Sequence, residues 1–291
     1  MASAMRPQDI DLGKVSFSAP KMLENGGKMI YVNYNGGINP LYVASPEGEV
    51  PFDPNYFADD GKGPDDSQTG KYSIIMSIKK GEKGMQEFFD SFTAFDEHIL
   101  AAAKENSAAW FKKPKISEDA LKELYTPQIK ISVDSETGEP NSYPPKFSYK
   151  VVKRDGKFQR FKIYDNNKKV FDVDKTTDEP VDFSNVVMKG ALVKVVLKCN
   201  GIWVANGKFG CTWRAEQMRV KIPEGGLRDF AILSDSEDED EDEVTSTKSV
   251  EETPIMLEDS EDEEEEVKAD QEPEPEPKKK VRKVRVKKDS N

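Results

Sequence analysis

The charge of this chain is divided unevenly along its length, and that division limits what can fold. Residues 235–276 contain 22 acidic residues and 2 lysines, whereas residues 277–291 contain 8 lysines and arginines and 1 aspartate. The whole chain has a net charge of −12, so the part before residue 235 is close to neutral. A densely acidic stretch buries little apolar surface and repels itself. We therefore expect a globular body over residues 1–233, a disordered acidic tail over 234–276 and a basic segment over 277–291.

Composition argues against several classes of protein. No apolar run approaches the ~18 residues of a membrane-spanning helix, and the first residues lack the apolar stretch of a signal peptide. The chain has 2 cysteines and 1 histidine, which disfavours a disulfide framework, a Ser-His-Asp triad or a histidine-rich metal site. Cys199 and Cys211 are interpreted as buried reduced thiols, and His98 as a helix-surface or boundary residue. We expect an intracellular protein that is not an enzyme and has no cofactor or metal.

The body is rich in strand patterns. Alternating or continuous apolar runs bounded by turn residues predict strands. These strands cover 28–34, 72–78, 128–133, 147–152, 158–164, 191–198, 202–205 and 208–219. Asp155-Gly156 predicts a tight hairpin turn, and the steps Asn200-Gly201 and Asn206-Gly207 predict a three-stranded meander.

Two segments are predicted to be helical. Apolar residues between Met85 and Lys104 recur at helical spacing, and Ser117 begins a shorter helix that ends near Tyr125. Many short strands with inserted helices favour a mainly β fold with inserted α-helices. The expected architecture is an OB-fold-like antiparallel Greek-key barrel, although a sandwich also agrees with the pattern.

Basic and aromatic residues are interleaved in three parts of the body. Residues 141–170 contain 9 lysines and arginines against 2 aspartates, and residues 186–221 contain 7 against 1 glutamate. Residues 110–115 repeat the combination. Single-stranded nucleic acid is bound by this pairing, because cations neutralise phosphates and aromatic faces stack bases. A basic hairpin whose charges are only solvated is an equally good interpretation.

The candidate binding residues follow from this pattern. Alternation places Phe158, Arg160, Lys162 and Tyr164 on one solvent-facing side of their strand. The residues expected to contact phosphates are Lys112, Lys113, Lys146, Lys150, Arg154, Lys157, Arg160 and Lys162. The residues expected to stack on bases are Trp110, Phe158, Tyr164, Trp203 and Trp213.

The tail suggests regulation of the same surface. An acidic segment tethered to a cationic groove competes for it at high effective concentration, and nucleic acid must displace it. Acidic residues follow Ser234, Ser236 and Ser260, so phosphorylation there would deepen the charge. The basic end over residues 277–288 resembles a nuclear localisation signal, and it could also contact nucleic acid or pair with the acidic run. The alternative interpretation is a structural or virion-associated protein, or an acidic-tailed chaperone that binds basic partners.

Several segments carry a family resemblance. They are Tyr31–Tyr34, Asn106–Lys112, Glu136–Glu139, Tyr143–Lys146, Lys189-Gly190, Gly201–Trp203 and Lys208–Trp213. Over roughly residues 15–235 the sequence resembles the single-stranded-DNA-binding proteins of nucleocytoplasmic large DNA viruses, especially the algal-virus type. These are related to the single-stranded-DNA-binding protein of short-tailed T-odd phages.

The resemblance implies an OB-fold without catalysis, acting in viral DNA replication, recombination and repair. It also implies that the acidic tail contacts replication proteins. We expect such a protein in the host nucleus or a viral replication factory, with single-stranded DNA as its ligand and with a homodimer compatible with the sequence. The phage relative ends its acidic tail in an aromatic residue, whereas this chain ends in a lysine-rich segment and Asn291. We therefore do not expect a docking mode that needs a terminal aromatic ring.

Overall fold

The computed structural model describes residues 4–24, 26–59, 69–135, 137–178 and 180–223. The strands are β1 Val15–Phe17, β2 Lys21–Met22, β3 Lys28–Ile30, β4 Val32–Tyr34, β5 Tyr42–Ala44, β6 Gly48–Glu49, β7 Asn55–Ala58, β8 Gly70–Ser77, β9 Tyr125–Thr126, β10 Ile129–Lys130, β11 Lys146–Arg154, β12 Lys157–Phe158, β13 Lys162–Tyr164, β14 Leu192–Ala205 and β15 Lys208–Lys221. The helices are α1 Met85–Glu105, α2 Ser107–Phe111, α3 Glu118–Leu124 and α4 Phe183–Val186. Two short 3-10 turns, Pro7–Asp9 and Leu12–Lys14, precede β1.

The hairpin of β14 and β15 is the centre of the main sheet. Its strands have 14 residues each, and Asn206 and Gly207 join them with φ angles of 48° and 80°, as the sequence predicts for an Asn-Gly turn. The outer edge of β14 pairs antiparallel with β6, β5 and β3. The outer edge of β15 pairs parallel with β13, β11 and β9, and the sheet continues antiparallel from β11 to β8 and β7.

The predicted turn at Asn200-Gly201 is wrong. Both residues lie inside β14, where the register with β15 shifts between Cys199 and Gly201. Gly201 has a φ of 126°, and a Cβ there would lie 2.4 Å from the carbonyl oxygen of Ile30. Glycine is therefore required for a bulge and for the close approach of β3. Two long strands replace the three-stranded meander.

The predicted strand over 158–164 is interrupted. The Asp155-Gly156 turn forms as expected, with φ angles of 50° and 73°, and it joins β11 to β12. The chain then turns at Arg160, whose φ is 53°, before β13 begins at Lys162. The alternation that placed Phe158 and Tyr164 on one face therefore does not run through the segment.

Helix α1 packs its apolar side onto the core of the sheet. Met85, Phe88, Phe92, Phe95 and Ile99 are buried, in agreement with the spacing in the sequence. The rings of Phe88 and Phe92 contact Phe147 at centroid distances of 5.2 and 5.0 Å, and Phe92 also contacts Trp213. The predicted second helix is α3, and Ser117 accepts a hydrogen bond from the Ala120 N–H at its start.

The fold class is the one expected from the sequence: mainly β, rich in antiparallel pairs, OB-fold-like, with inserted helices. Within the described ranges, no helix is long and apolar enough to cross a membrane. The chain divides into two units, Met1–Arg228 and Asp229–Asn291. The predicted acidic tail and basic end, with Ser234, Ser236 and Ser260, lie outside the described residues.

Candidate nucleic-acid interface

A row of side chains crosses the main sheet on the face opposite the core. Tyr42 pairs with Lys198, Lys198 with Arg214, and Arg214 with Lys150, so these four residues lie side by side on β5, β14, β15 and β11. All four are half-buried, and their sequence neighbours Val43, Leu197, Trp213 and Tyr149 are core residues. We call these four residues the cationic row. Pairing partners share one side of a sheet, so the row presents three cations beside one ring.

The cations of the row lie close enough to repel one another. Partial burial lowers the pKa of Lys198, and the charge of Arg214 lowers it further. Glu216 opposes this effect, and Arg160 adds a smaller lowering of the pKa. Burial raises the pKa of Tyr42, again with Glu216, Arg214 and Arg160 in electrostatic range. Lys198 Nζ lies 6.0 Å from the centroid of the Tyr42 ring. Arg160, at the turn between β12 and β13, therefore adds its charge to the row. Such a cluster favours an anionic ligand, because an anion relieves the mutual repulsion.

Lys162 and Tyr164 extend this face along β13. Lys162 pairs with Gln217, and Tyr164 pairs with Arg219, whose other partner is Lys194 on β14. Lys162 is exposed and Tyr164 is half-buried. Arg219 also makes an ion pair of 3.1 Å with Glu47.

Trp203 lies on the same face, beyond the bulge in β14. It pairs with Gly210 and Met29, while its neighbour Ile202 is fully buried. The indole is half-buried. A Cβ built on Gly210 would lie 3.1 Å from the indole, so the bare backbone of Gly210 provides the space that the ring occupies. Trp203 is thus a half-buried ring on the same face of the sheet as the cationic row.

Three other expected contacts lie at the two ends of β11. Lys146 is on the same side of the strand as Lys150, and its Nζ lies 4.9 Å from the centroid of the Phe52 ring. Arg154 and Lys157 pair with each other beside the hairpin turn, and both are exposed.

The structure contradicts the expected stacking role of three rings. Trp110, Phe158 and Trp213 are only 2%, 7% and 1% exposed. Trp110 packs edge-on against Phe17 at 5.6 Å, and Phe158 packs against Phe183 at 5.0 Å. These rings belong to the core, so they offer no face to a base.

Trp213 is held by a buried polar network. Its Nε1–H donates to the Gln128 side-chain oxygen, and the Gln128 backbone N–H donates to Asp96 at 3.1 Å. Tyr125 donates its hydroxyl to the same carboxylate. Burial raises the pKa of Asp96 against the effect of these hydrogen bonds. The network joins α1 to β15 and has a structural role.

Lys112 and Lys113 lie away from the cationic row. They are exposed at the end of α2, where Lys112 has a φ of 58°. The Ala109 and Trp110 carbonyl oxygens accept hydrogen bonds from Lys28 Nζ at 3.3 and 2.6 Å. Lys28 pairs with Val204, on the side of β14 opposite Trp203. The structure therefore brings Lys146, Lys150, Arg160, Lys162, Tyr164 and Trp203 to one face and leaves Lys112 and Lys113 on another.

Sequence reasoning missed Tyr42, Lys198 and Arg214. The alternation of Lys194, Val196 and Lys198 with buried residues was a signal for Lys198. Tyr42 belongs to a strand of only three residues, so its place in the row depends on pairing with β14.

The two cysteines lie close together without a disulfide. Their Sγ atoms are 3.5 Å apart, Cys199 is buried, and burial raises the pKa of Cys211 well above its ordinary value. Such thiols are unreactive. Among the described residues, no group of three or more histidine, cysteine, aspartate or glutamate side chains is arranged to hold a metal ion.

A family model described as "Family of unknown function (DUF5871)" matches residues 75–231. No curated protein matches.

The crystal structure of gp2.5, a single-stranded DNA-binding protein encoded by bacteriophage T7, is 16% identical and has a TM-score of 0.38, covering 66% of this chain and 98% of that one. The single-stranded DNA-binding protein of bacteriophage Enc34 in complex with ssDNA is 11% identical with a TM-score of 0.40, covering 71% and 96%. Its C-terminal truncation is 12% identical with a TM-score of 0.38, covering 73% and 98%.

Proposed function

The chain belongs to the DUF5871 family, and we propose that it binds single-stranded DNA without sequence specificity, on the face that carries the cationic row. The row itself is the observation that carries this proposal. Lys198, Arg214 and Lys150 lie next to one another on three neighbouring strands, with Arg160 within electrostatic range of Lys198.

The spacing of the row suits an extended strand of nucleic acid. Neighbouring β-strands are about 4.8 Å apart, so a row across four strands covers about 14 Å. A flexible single strand can follow such a row and place successive phosphates near its cations, while its bases stack on exposed rings. Tyr42 at one end of the row and Trp203 beyond the bulge are the two rings best placed for stacking. Contacts to phosphates and ring faces carry no base code, which supports binding without sequence specificity.

We further propose that the protein acts in DNA replication, recombination or repair as a binding protein rather than an enzyme. In this proposal the acidic residues 235–276 compete with DNA for the cationic row and recruit replication proteins when DNA displaces them. Their opposite charge and their covalent tether support competition.

The proposal is tested by titrating fluorescent oligo-dT with the full chain at low salt and measuring anisotropy. Lys198→Ala and Lys150→Ala each remove one phosphate contact, and we expect each to weaken binding about fivefold. Lys112→Ala and Lys113→Ala are the matched controls, because they remove the same charge from another face, and we expect less than a twofold change.

Two outcomes would contradict the proposal. One is that the wild-type chain does not bind oligo-dT at low salt. The other is that the row variants and the control variants lose affinity equally, which would indicate attraction by overall charge. Binding to basic proteins but not to oligo-dT would favour the chaperone function instead.

A further inference from the structure

One carboxylate lies beside the cationic row. Glu216 is the only acidic residue in 186–221, against 7 lysines and arginines. In the register of β14 with β15, Val196 pairs with Gln217 and the next residue, Leu197, pairs with Ala215. Glu216 therefore has no partner on β14 and is the extra residue of a β-bulge. Bulges redirect side chains, and they occur frequently beside functional sites.

Glu216 lies against the guanidinium of Arg214 on the same side of β15. Glu216 Oε1 accepts a hydrogen bond from Arg214 Nη2, and the two side chains are only 16% and 18% exposed. In the part of the chain that the structure describes, the N–H groups of this guanidinium do not all have hydrogen-bond acceptors. Arg214 Nε is buried and has no hydrogen-bond partner among the described residues. A guanidinium can bind an anion through two parallel N–H groups, so this pair uses only part of what Arg214 offers.

We propose that Glu216 occupies the position of a DNA phosphate on Arg214 and must be displaced when DNA binds. This inference rests on the proposed function, because it concerns the same row. The negative charge of Glu216 also lies in electrostatic range of Lys198 and Tyr42. It therefore repels phosphates at the centre of the row while it holds Arg214.

The consequence is a lower affinity than the cations alone would provide. A phosphate that reaches Arg214 replaces one ion pair with another, so the gain is smaller than for a free cation. A strand engages Arg214 only when the rest of the row holds it in place. Glu216 in this way suppresses the weak binding of small anions and of short oligonucleotides that contact only Arg214.

The test compares full-length wild-type protein with Glu216→Gln, titrated with fluorescent dT oligonucleotide at several KCl concentrations. Glutamine keeps the size of the side chain and removes its charge. We expect binding about three- to tenfold tighter at low salt, because one repulsive charge is gone and Arg214 is released. The slope of log K against log salt concentration should become steeper by about 0.7, the value for one more phosphate contact.

Two further variants identify the mechanism. Glu118→Gln is the matched control, because Glu118 pairs with Lys104 on α1, the helix that packs on the core side of the sheet, and we expect less than a twofold effect. In Arg214→Gln, adding Glu216→Gln should tighten binding clearly less than it does in wild type, because the repulsion of phosphates is removed but no guanidinium is released. Unchanged or weaker binding by Glu216→Gln alone would overturn the inference while the proposed function stands. Failure of every form to bind would overturn the proposed function itself.

A measurement on the wild type keeps the inference testable if Glu216→Gln does not fold. The Nε–H resonance of Arg214, assigned by its loss in Arg214→Lys, should shift when oligo-dT saturates the protein. A stationary Arg214 signal, together with shifts of backbone signals along the row, would overturn the displacement of Glu216.

Discussion

The indole of Trp203 lies against Gly210 on the neighbouring strand, where an added Cβ would come within 3.1 Å of the ring. The same Cβ would lie 3.0 Å from the Thr126 carbonyl oxygen, so the position is closed from two sides. This contact places the half-buried Trp203 ring directly beside β15, the strand of Arg214.

The position of Trp203 predicts the source of a fluorescence change. The chain has 3 tryptophans, and Trp110 and Trp213 are 2% and 1% exposed. Base stacking quenches an indole that it contacts, so we expect oligo-dT to quench Trp203 alone. Trp203→Phe should remove more than half of the DNA-dependent quenching, whereas Trp110→Phe should leave it intact. Full quenching in Trp203→Phe would exclude this ring from the interface.

Two buried tyrosines predict opposite effects of the same substitution. The Tyr149 hydroxyl is buried without a hydrogen-bond partner among the described residues, and burial raises its pKa. Tyr149→Phe should therefore increase the free energy of unfolding by about 1 kcal/mol. The Tyr125 hydroxyl instead donates to Asp96, so Tyr125→Phe should decrease it by about 1–2 kcal/mol. Urea unfolding measures both, and a loss of stability in Tyr149→Phe would show that its hydroxyl has a partner.

Sequence patterns correctly predicted the elements whose conformation depends only on residues close in sequence. The helix from Met85 and the Asn206-Gly207 turn are both found from sequence, because helical spacing and positive φ are local properties. The same local rule failed at Asn200-Gly201. There the glycine is required by the carbonyl of Ile30 on another strand, and no pattern within β14 records that contact.

The candidate site was less predictable than the fold. The cationic row exists only because β5, β14, β15 and β11 pair in one register, and Tyr42 and Lys150 are far apart in sequence. The burial of individual aromatic side chains was also hard to predict from the sequence. Strand alternation predicted an exposed Phe158, but Phe158 pairs with the buried Lys153 of β11, and the positive φ of Arg160 separates it from β13.

The loop over residues 172–178 supports β12. One of its carboxylates should make a contribution to the free energy of unfolding that depends on acid pH. A backbone hydrogen bond from Thr176, and further hydrogen bonds from Thr177, lower the pKa of Asp172 from 3.8 to about 2. Asp174, in the same loop, accepts a hydrogen bond of 2.8 Å from the backbone N–H of Phe158. A carboxylate whose pKa is lower in the folded state stabilises the protein above its unfolded pKa, and this stabilisation is lost as pH falls toward the folded value.

Asp172→Asn should therefore lower the urea midpoint near neutral pH, and its difference from wild type should shrink between about pH 4 and pH 2. Asp178→Asn, an exposed position in the same loop, is the control and should leave the midpoint unchanged. A difference between wild type and Asp172→Asn that stays constant over this range would contradict the role assigned to the ionised carboxylate.

Competition by the acidic segment predicts that its removal strengthens DNA binding. A chain that ends at Leu233 loses the 22 acidic residues of 235–276 together with the basic end. We expect it to bind oligo-dT at least tenfold more tightly at low salt, with the difference decreasing as salt rises, because screening weakens the attraction between the segment and the cationic row. Glu216→Gln should tighten binding in both lengths of chain, since that carboxylate lies against Arg214 of the row and is not part of the acidic segment. A peptide of residues 235–276 added in trans should compete with oligo-dT for the shortened chain and shift its binding curve. Equal affinities of the two lengths, together with no effect of the peptide, would refute competition and leave partner recruitment as the remaining proposal for these residues.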